Sequence, residues 1–148
     1  MDELPDVTAT DADGAPLRLA DLPRPLVVYF YPKDDTPGCT REAQDFSALA
    51  DEFAGAGVHV VGISRDTIAK HNKFTTKHAL RVPLASDLDG SVTEAFGVWG
   101  ERQMYGRTYM GIERATFLFD RDGHLARAWR KVKVPDHAAA VLEAARAL

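Results

Sequence analysis

The 148-residue sequence holds a single cysteine, Cys39, set in Pro32-Lys33-Asp34-Asp35-Thr36-Pro37-Gly38-Cys39. An unbroken apolar run, Leu26-Val27-Val28-Tyr29-Phe30-Tyr31, precedes this loop, and a segment with helical spacing, Thr40 to Phe53, follows it. Thr36 is a good N-cap and Pro37 fits the first helical position, which places Cys39 third in the helix. A sulfur there sits among unpaired backbone N–H groups at the positive end of the helix dipole, where a thiolate is favoured over a thiol. A lone cysteine is often an inert, buried hydrophobe. The helix start, the Pro, Gly and Asp of the loop and the lack of an apolar neighbour argue for a reactive one instead.

Ionisation alone is insufficient for fast chemistry. A thiol of ordinary pKa is a few per cent ionised at pH 7, so full ionisation gains at most about thirtyfold, and a lower pKa also weakens the nucleophile. Donors must therefore stabilise the charge that moves onto the atoms under attack. Thr36, three residues before Cys39, offers a hydroxyl on the working side of the sulfur, or is a plain helix cap. Glu42 shares the inward-leaning face of Cys39 and Phe46, where it holds an arginine in place or is an ordinary first-turn acid. Arg114 directly precedes the apolar stretch Ala115 to Phe119; pointing into a cleft it would donate to both thiolate and substrate, and pointing outward it is a solvated strand-end charge. Pro32 shields the sulfur or simply ends the strand. Tyr31, Tyr109 and Trp99 line the pocket or belong to the core.

The elements that must position these residues read as follows. Leu26 to Tyr31 is a central strand covered on both faces, and Phe46, Leu49 and Phe53 give the helix one inward stripe, with Arg41, Gln44, Ser47 and Asp51 mostly outside it. Val7 to Thr10 and Leu17 to Leu19 predict a short N-terminal hairpin around Asp11 to Ala15, with a loop from Asp21 to Pro25. Gly55-Ala56-Gly57 stops the helix before a second buried strand, Val58 to Ser64, parallel to the first. Asp66 or Thr67 caps a surface helix to about Leu80. Pro83 to Ser86 is an edge-like strand, and a brief helix ends at Gly97. Gly100 to Gly111 reads as a loop, unusually apolar through Met104, Tyr105, Tyr109 and Met110, lying over something. Ala115 to Phe119 and Leu125 to Trp129 flank a hairpin turn at Asp120 to Gly123, and Pro135 opens a last helix. The order predicts one domain over residues 1–148: an α/β, thioredoxin-like fold with a mixed central sheet flanked by helices.

With 45% hydrophobic and 27% charged residues the chain reads as globular, and a net charge of −4 with no basic patch speaks against nucleic acid as a partner. No stretch approaches 18 apolar residues, so no membrane association is expected, and the acidic, signal-free start makes the cytoplasm the expected compartment. A single thiol that stays reduced fits it. The five histidines show no ligand pairing, Asp34-Asp35 reads as turn chemistry, and no glycine-rich phosphate loop is present, so neither metal nor organic cofactor is expected.

The motif Pro32-x-x-x-Thr36-x-x-Cys39 resembles that of the peroxiredoxins, and Pro32-Lys33-Asp34-Asp35-Thr36-Pro37-Gly38-Cys39-Thr40 is similar in form to the bacterioferritin comigratory protein subfamily, also called peroxiredoxin Q. The resemblance extends to Gly62 to Asp66, Phe96 to Gly100 and Met104 to Arg114. It implies that Cys39 is the peroxidatic cysteine, that Thr36 and Arg114 position the peroxide, that Pro32 limits solvent and that Glu42 orients the arginine. It also implies a monomer. Many subfamily members carry a resolving cysteine five residues on, where this chain has Gln44, or in the next helix, where it has none. A one-cysteine enzyme is therefore expected. It would reduce hydrogen peroxide and alkyl hydroperoxides through a sulfenic acid resolved by thioredoxin, glutaredoxin or a low-molecular-weight thiol.

Three other readings stand beside it. A disulfide oxidoreductase on the same fold needs Cys-x-x-Cys, and Glu42 stands where the second cysteine would be. A non-catalytic redox sensor would react slowly with peroxide and bind a partner only when oxidised. Acyl transfer through a Cys-His pair lacks any local signature.

Overall fold

The computed structural model describes residues Met1–Leu148. In chain order the elements are β1 (Thr8–Thr10), β2 (Pro16–Arg18), a 3-10 turn (Leu19–Asp21), β3 (Leu26–Phe30), α1 (Pro37–Ala48) and α2 (Ala50–Gly55). Then follow β4 (His59–Ser64), α3 (Ile68–His78), β5 (Leu84–Ser86), α4 (Ser91–Ala95), β6 (Trp99–Met104), β7 (Arg107–Ile112), β8 (Ala115–Phe119), β9 (Leu125–Trp129) and α5 (His137–Arg146). Seven strands form one sheet in the order β2-β1-β5-β4-β3-β8-β9, and β6-β7 stands apart.

β3 lies inside this sheet, parallel to β4 and antiparallel to β8, and all five of its residues are buried. Its side chains alternate between two apolar layers. Val27 and Tyr29 meet Cys39, Ala43, Phe46 and Phe53 on one face, and Leu26, Val28 and Phe30 meet Ile63, Phe96 and Phe117 on the other. No position faces water, which is why the strand reads as a continuous apolar run. Tyr29 stacks on Phe46, with ring centroids 4.5 Å apart and planes 14° from parallel, and this contact seats α1 on the sheet.

Six expectations are corrected. The segment after Cys39 is two helices rather than one: at Leu49 the backbone leaves helical geometry (φ −98°, ψ 7°), and its N–H bonds to Phe46 and Ser47 carbonyls in a tightened turn. Phe46 and Phe53 are still both buried, with centroids 5.9 Å apart. Ser47 turns inward, because its hydroxyl accepts the N–H groups of Arg81 and Val82. α3, capped by the Thr67 hydroxyl accepting from the Lys70 N–H, is not a purely surface helix, since His71 and Phe74 are buried. β5 is interior: the N-terminal hairpin lies against it through the single pair Thr10↔Ser86, so all three of its residues are covered. The stretch from Gly100 to Gly111 is the β6-β7 hairpin, closed by Tyr105 and Gly106, both at positive φ (53° and 77°). Pro135 precedes α5 rather than opening it, and Asp136 occupies the N-cap. No helix is long and apolar enough to cross a membrane.

Candidate active site

The chain leaves β3 at Phe30 and re-enters regular structure at Pro37, so Cys39 lies third in α1, at the C-terminal end of β3. Thr36 holds the N-cap position with extended backbone (φ −92°, ψ 154°), but its side chain caps no helical N–H. Its hydroxyl donates instead to the Lys33 carbonyl at 2.8 Å. The first helical bond is from the Thr40 N–H to the Thr36 carbonyl, so the N–H groups of Gly38 and Cys39 have no protein partner. These two donors, a hydroxyl oxygen with free lone pairs and the sulfur all belong to one turn.

Cys39 is 2% exposed and forms the floor of a cavity of about 550 Å³. Arg114, at the end of the link from β7 to β8, reaches back across the floor. Its Nη2 lies 3.4 Å from the Cys39 sulfur, and its Nη1 donates to Glu42 Oε1 at 2.7 Å. One guanidinium thus bridges sulfur and carboxylate, as its planar fork of donors allows. Gly38 makes room for it: a Cβ there would meet Nη2 at 3.1 Å. Glu42 is 1% exposed and its Oε2 is buried without a partner. Burial pushes the Glu42 carboxyl up to about 7, although the charge and hydrogen bond of Arg114 pull the other way. Burial also works against the Arg114 charge, but Glu42 and Cys39 beside it more than offset this and leave it firmly cationic.

The remaining walls have two characters. Pro32, Lys33 and Lys70 stand at the polar side, and Trp99, Met104, Tyr109 and Met110 form an apolar side beneath the β6-β7 hairpin. Met104, Tyr109 and Met110 are about half exposed, which answers what this apolar segment lies over. The Arg65 guanidinium stacks on the Trp99 ring at 3.4 Å and its Nε donates to Thr93, fixing that wall. Of the sequence candidates, Cys39, Thr36, Arg114, Pro32, Tyr109 and Trp99 all border this cavity, and Glu42 lies behind Arg114. Tyr31 does not border it. That residue is buried, and its hydroxyl donates to Asp34 Oδ1 at 2.5 Å.

Sequence reasoning missed the polar cluster under the loop. Asp34 Oδ2 lies 2.6 Å from His71 Nδ1, and the Asp34 N–H donates to Asp66 Oδ2 at 2.9 Å, which also accepts from the Ser64 hydroxyl. Ligand atoms of Asp34, Asp66 and His71 lie within 4.8 Å of one another, but the pairs just named already engage them. The only sequence signal was a charged pair, Asp34-Asp35, placed directly after a buried strand. His137 was also missed. It packs edge-on against Trp129 and Phe46 and faces the Thr116 hydroxyl at 2.8 Å; burial, with the Arg114 charge nearby, lowers it to about 4.

Comparison with known proteins agrees with this architecture. Residues 1–128 match the AhpC/TSA family. Curated relatives named peroxiredoxin Bcp include one from Xanthomonas campestris, 52% identical over 122 residues (82% of this chain, 76% of the relative), and one from Bacillus subtilis, 45% identical over 140 residues (94% and 89%). Among solved structures, the Xanthomonas campestris bacterioferritin comigratory protein, described for its alkyl peroxide reduction activity, superposes with a TM-score of 0.89 at 45% identity, covering 98% of this chain and 96% of that one. A mutant of PrxQ from Xylella fastidiosa gives 0.91 at 38% identity, covering 99% and 94%. Family match, identity and superposition over nearly the whole chain carry one conclusion: this chain belongs to the AhpC/TSA family, as a thiol-dependent peroxidase of the bacterioferritin comigratory protein, or peroxiredoxin Q, kind, with the thioredoxin-like fold.

Proposed function

We propose that Cys39 is the peroxidatic residue and that the surrounding donors select the transition state of peroxide reduction. The observation that carries this reading is the Arg114 guanidinium 3.4 Å from the Cys39 sulfur, in a helical turn whose Gly38 and Cys39 N–H groups have no protein partner. The Cys39 thiolate attacks the terminal oxygen of R–O–OH. An S–O bond forms, the O–O bond breaks, and the departing alkoxide takes a proton to leave as alcohol, or as water when R is hydrogen. Because the Thr36 proton is committed to the Lys33 carbonyl, its oxygen serves as an acceptor for the peroxide O–H. Arg114 and the N–H groups of Gly38 and Cys39 stabilise the charge passing to the departing oxygen. Glu42 positions Arg114, and Pro32 at the rim limits water.

The second half of the cycle needs a thiol from outside, since the chain has no other cysteine. Cys39 sulfenic acid and R′SH give a mixed disulfide and water, and a second R′SH releases R′S–SR′ and the Cys39 thiol. Thioredoxin, glutaredoxin or a small thiol supplies these electrons, and a cytoplasmic monomer kept reduced by such a donor accords with the lone thiol. Stopped-flow oxidation tests the reading: the protein should consume one equivalent of peroxide per chain in a fast phase that Cys39→Ser abolishes. Peroxide consumption by Cys39→Ser at the parent rate refutes it.

A further inference from the structure

The mechanism above uses the Thr36 hydroxyl but leaves open what aims it. Its partner, the Lys33 carbonyl, belongs to the same planar peptide unit as the Asp34 N–H, so whatever fixes one fixes the other. That N–H is held by Asp66 Oδ2 at 2.9 Å, and Asp66 is in turn held by the Ser64 hydroxyl at 2.6 Å. The Asp34 carboxylate is gripped from two further sides, by the Tyr31 hydroxyl at 2.5 Å and by His71 Nδ1 at 2.6 Å. His71 Nε2 faces the Ala85 carbonyl at 3.1 Å, and a carbonyl only accepts, so this nitrogen carries a hydrogen. One proton is then left for the short contact between Nδ1 and Oδ2, and every polar atom of the imidazole is engaged.

The next residue shows that the loop needs such restraint. Asp35 has φ 59°, a left-handed conformation that a non-glycine residue keeps only where its surroundings impose it. Its carboxylate is tied to Lys77 at 2.7 Å and to His78 at 2.8 Å. His71 and His78 stand seven residues apart on one side of α3, so this helix holds two consecutive loop residues.

We infer that Asp66, with the Tyr31-Asp34-His71 triad, is a positioning device for the known reaction: it locks the 33–34 peptide and thereby turns the Thr36 hydroxyl oxygen toward the peroxide. Tyr31, Asp34 and His71 do not border the cavity, and Asp66, which does, acts in this role through the 33–34 peptide rather than on sulfur or substrate. The inference rests on the proposed function, and the test separates the two.

The test is a double-mutant cycle read by two reagents. Peroxide requires the aimed hydroxyl, whereas iodoacetamide requires only a reactive thiolate. Asp66→Ala should lower the second-order rate of Cys39 oxidation by peroxide roughly tenfold and change alkylation by less than about twofold. Asp66→Asn, which retains an acceptor for the Asp34 N–H, should stay within about threefold of the parent. In a Thr36→Val background, which has no hydroxyl to aim, adding Asp66→Ala should cost less than about twofold. Tyr31→Phe keeps the packing and removes one grip on Asp34, so it carries the same cycle with a smaller effect should Asp66→Ala fold poorly. Equal losses toward peroxide and iodoacetamide, or a full tenfold loss in the Thr36→Val background, overturn the inference while leaving Cys39 as the peroxidatic residue. A parent protein that peroxide does not oxidise overturns the proposed function instead.

Discussion

Glu42 and His137 should impose opposite pH dependences on stability, and substituting either one should unmask the other. The unfolded chain releases the Glu42 proton near 4.5, whereas burial holds it on the folded protein to about 7. Between these values the folded state binds more protons than the unfolded one, so the contribution of Glu42 to stability falls as pH rises. At about 1.4 kcal/mol per decade of proton affinity, the span is worth about 3 kcal/mol. His137 runs the other way: the unfolded chain binds its proton below 6.5 and the folded protein refuses it down to about 4, so stability rises with pH across that window, again by about 3 kcal/mol. The windows overlap, and in the parent the two slopes largely cancel. Glu42→Gln keeps an acceptor for Arg114 and removes the titration; His137→Gln removes the other. Urea unfolding of parent and variants from pH 4 to 8, with m-values checked for constancy, gives the differences directly. Relative to parent, Glu42→Gln should gain about 3 kcal/mol in stability between pH 4.5 and 7, and His137→Gln should lose a similar amount between pH 4 and 6.5. Carboxylates such as Asp6 and Asp35, whose pKa values are lowered by their basic neighbours, occur in every variant and cancel from the differences. A Glu42→Gln curve parallel to the parent curve would show that the carboxyl ionises normally, and the account of a half-partnered, buried acid behind Arg114 would be wrong.

Three further substitutions probe the same geometry. Arg114→Lys keeps a charge but loses the fork that spans Glu42 and Cys39, so peroxide oxidation of Cys39 should slow by roughly tenfold to a hundredfold in stopped-flow fluorescence. Gly38→Ala places a methyl group 3.1 Å from Arg114 Nη2, so the guanidinium must move from the sulfur. The expected signature is a roughly tenfold slower oxidation with unfolding free energy within about 1 kcal/mol of the parent, because alanine is the better helix former; an unchanged rate would remove Arg114 from the chemistry. Gly62→Ala would set a Cβ 2.5 Å from Tyr29 Cζ in the core, and urea unfolding should register a loss of about 1–3 kcal/mol or more.

The parts of the site that were legible in the sequence are those whose direction is fixed by a single element. Thr36 and Glu42 stand three residues either side of Cys39, so helical geometry alone puts them near the sulfur, and Arg114 is aimed by the strand it precedes. The misreadings have the opposite origin. Gly100 and Gly111 look like loop punctuation but face each other as a cross-strand pair, and Tyr105-Gly106 is not among the commonest signals for a two-residue turn. β5 looks like an edge because the strand that covers it lies more than 70 residues earlier and touches it through one pair. The clamp on Asp34 is the extreme case, since its partners come from the residue just past β3, from the start of the link after β4 and from the first half of α3. No periodicity relates Tyr31, Asp66 and His71; only the placement of α3 beside the loop does. A buried carboxylate is costly unless it is fully partnered, so that placement and the charge at position 34 require each other. The sequence displays the acid, while the partners that make it tolerable become visible only after β4 has been laid beside β3 and α3 returned across their C-terminal ends.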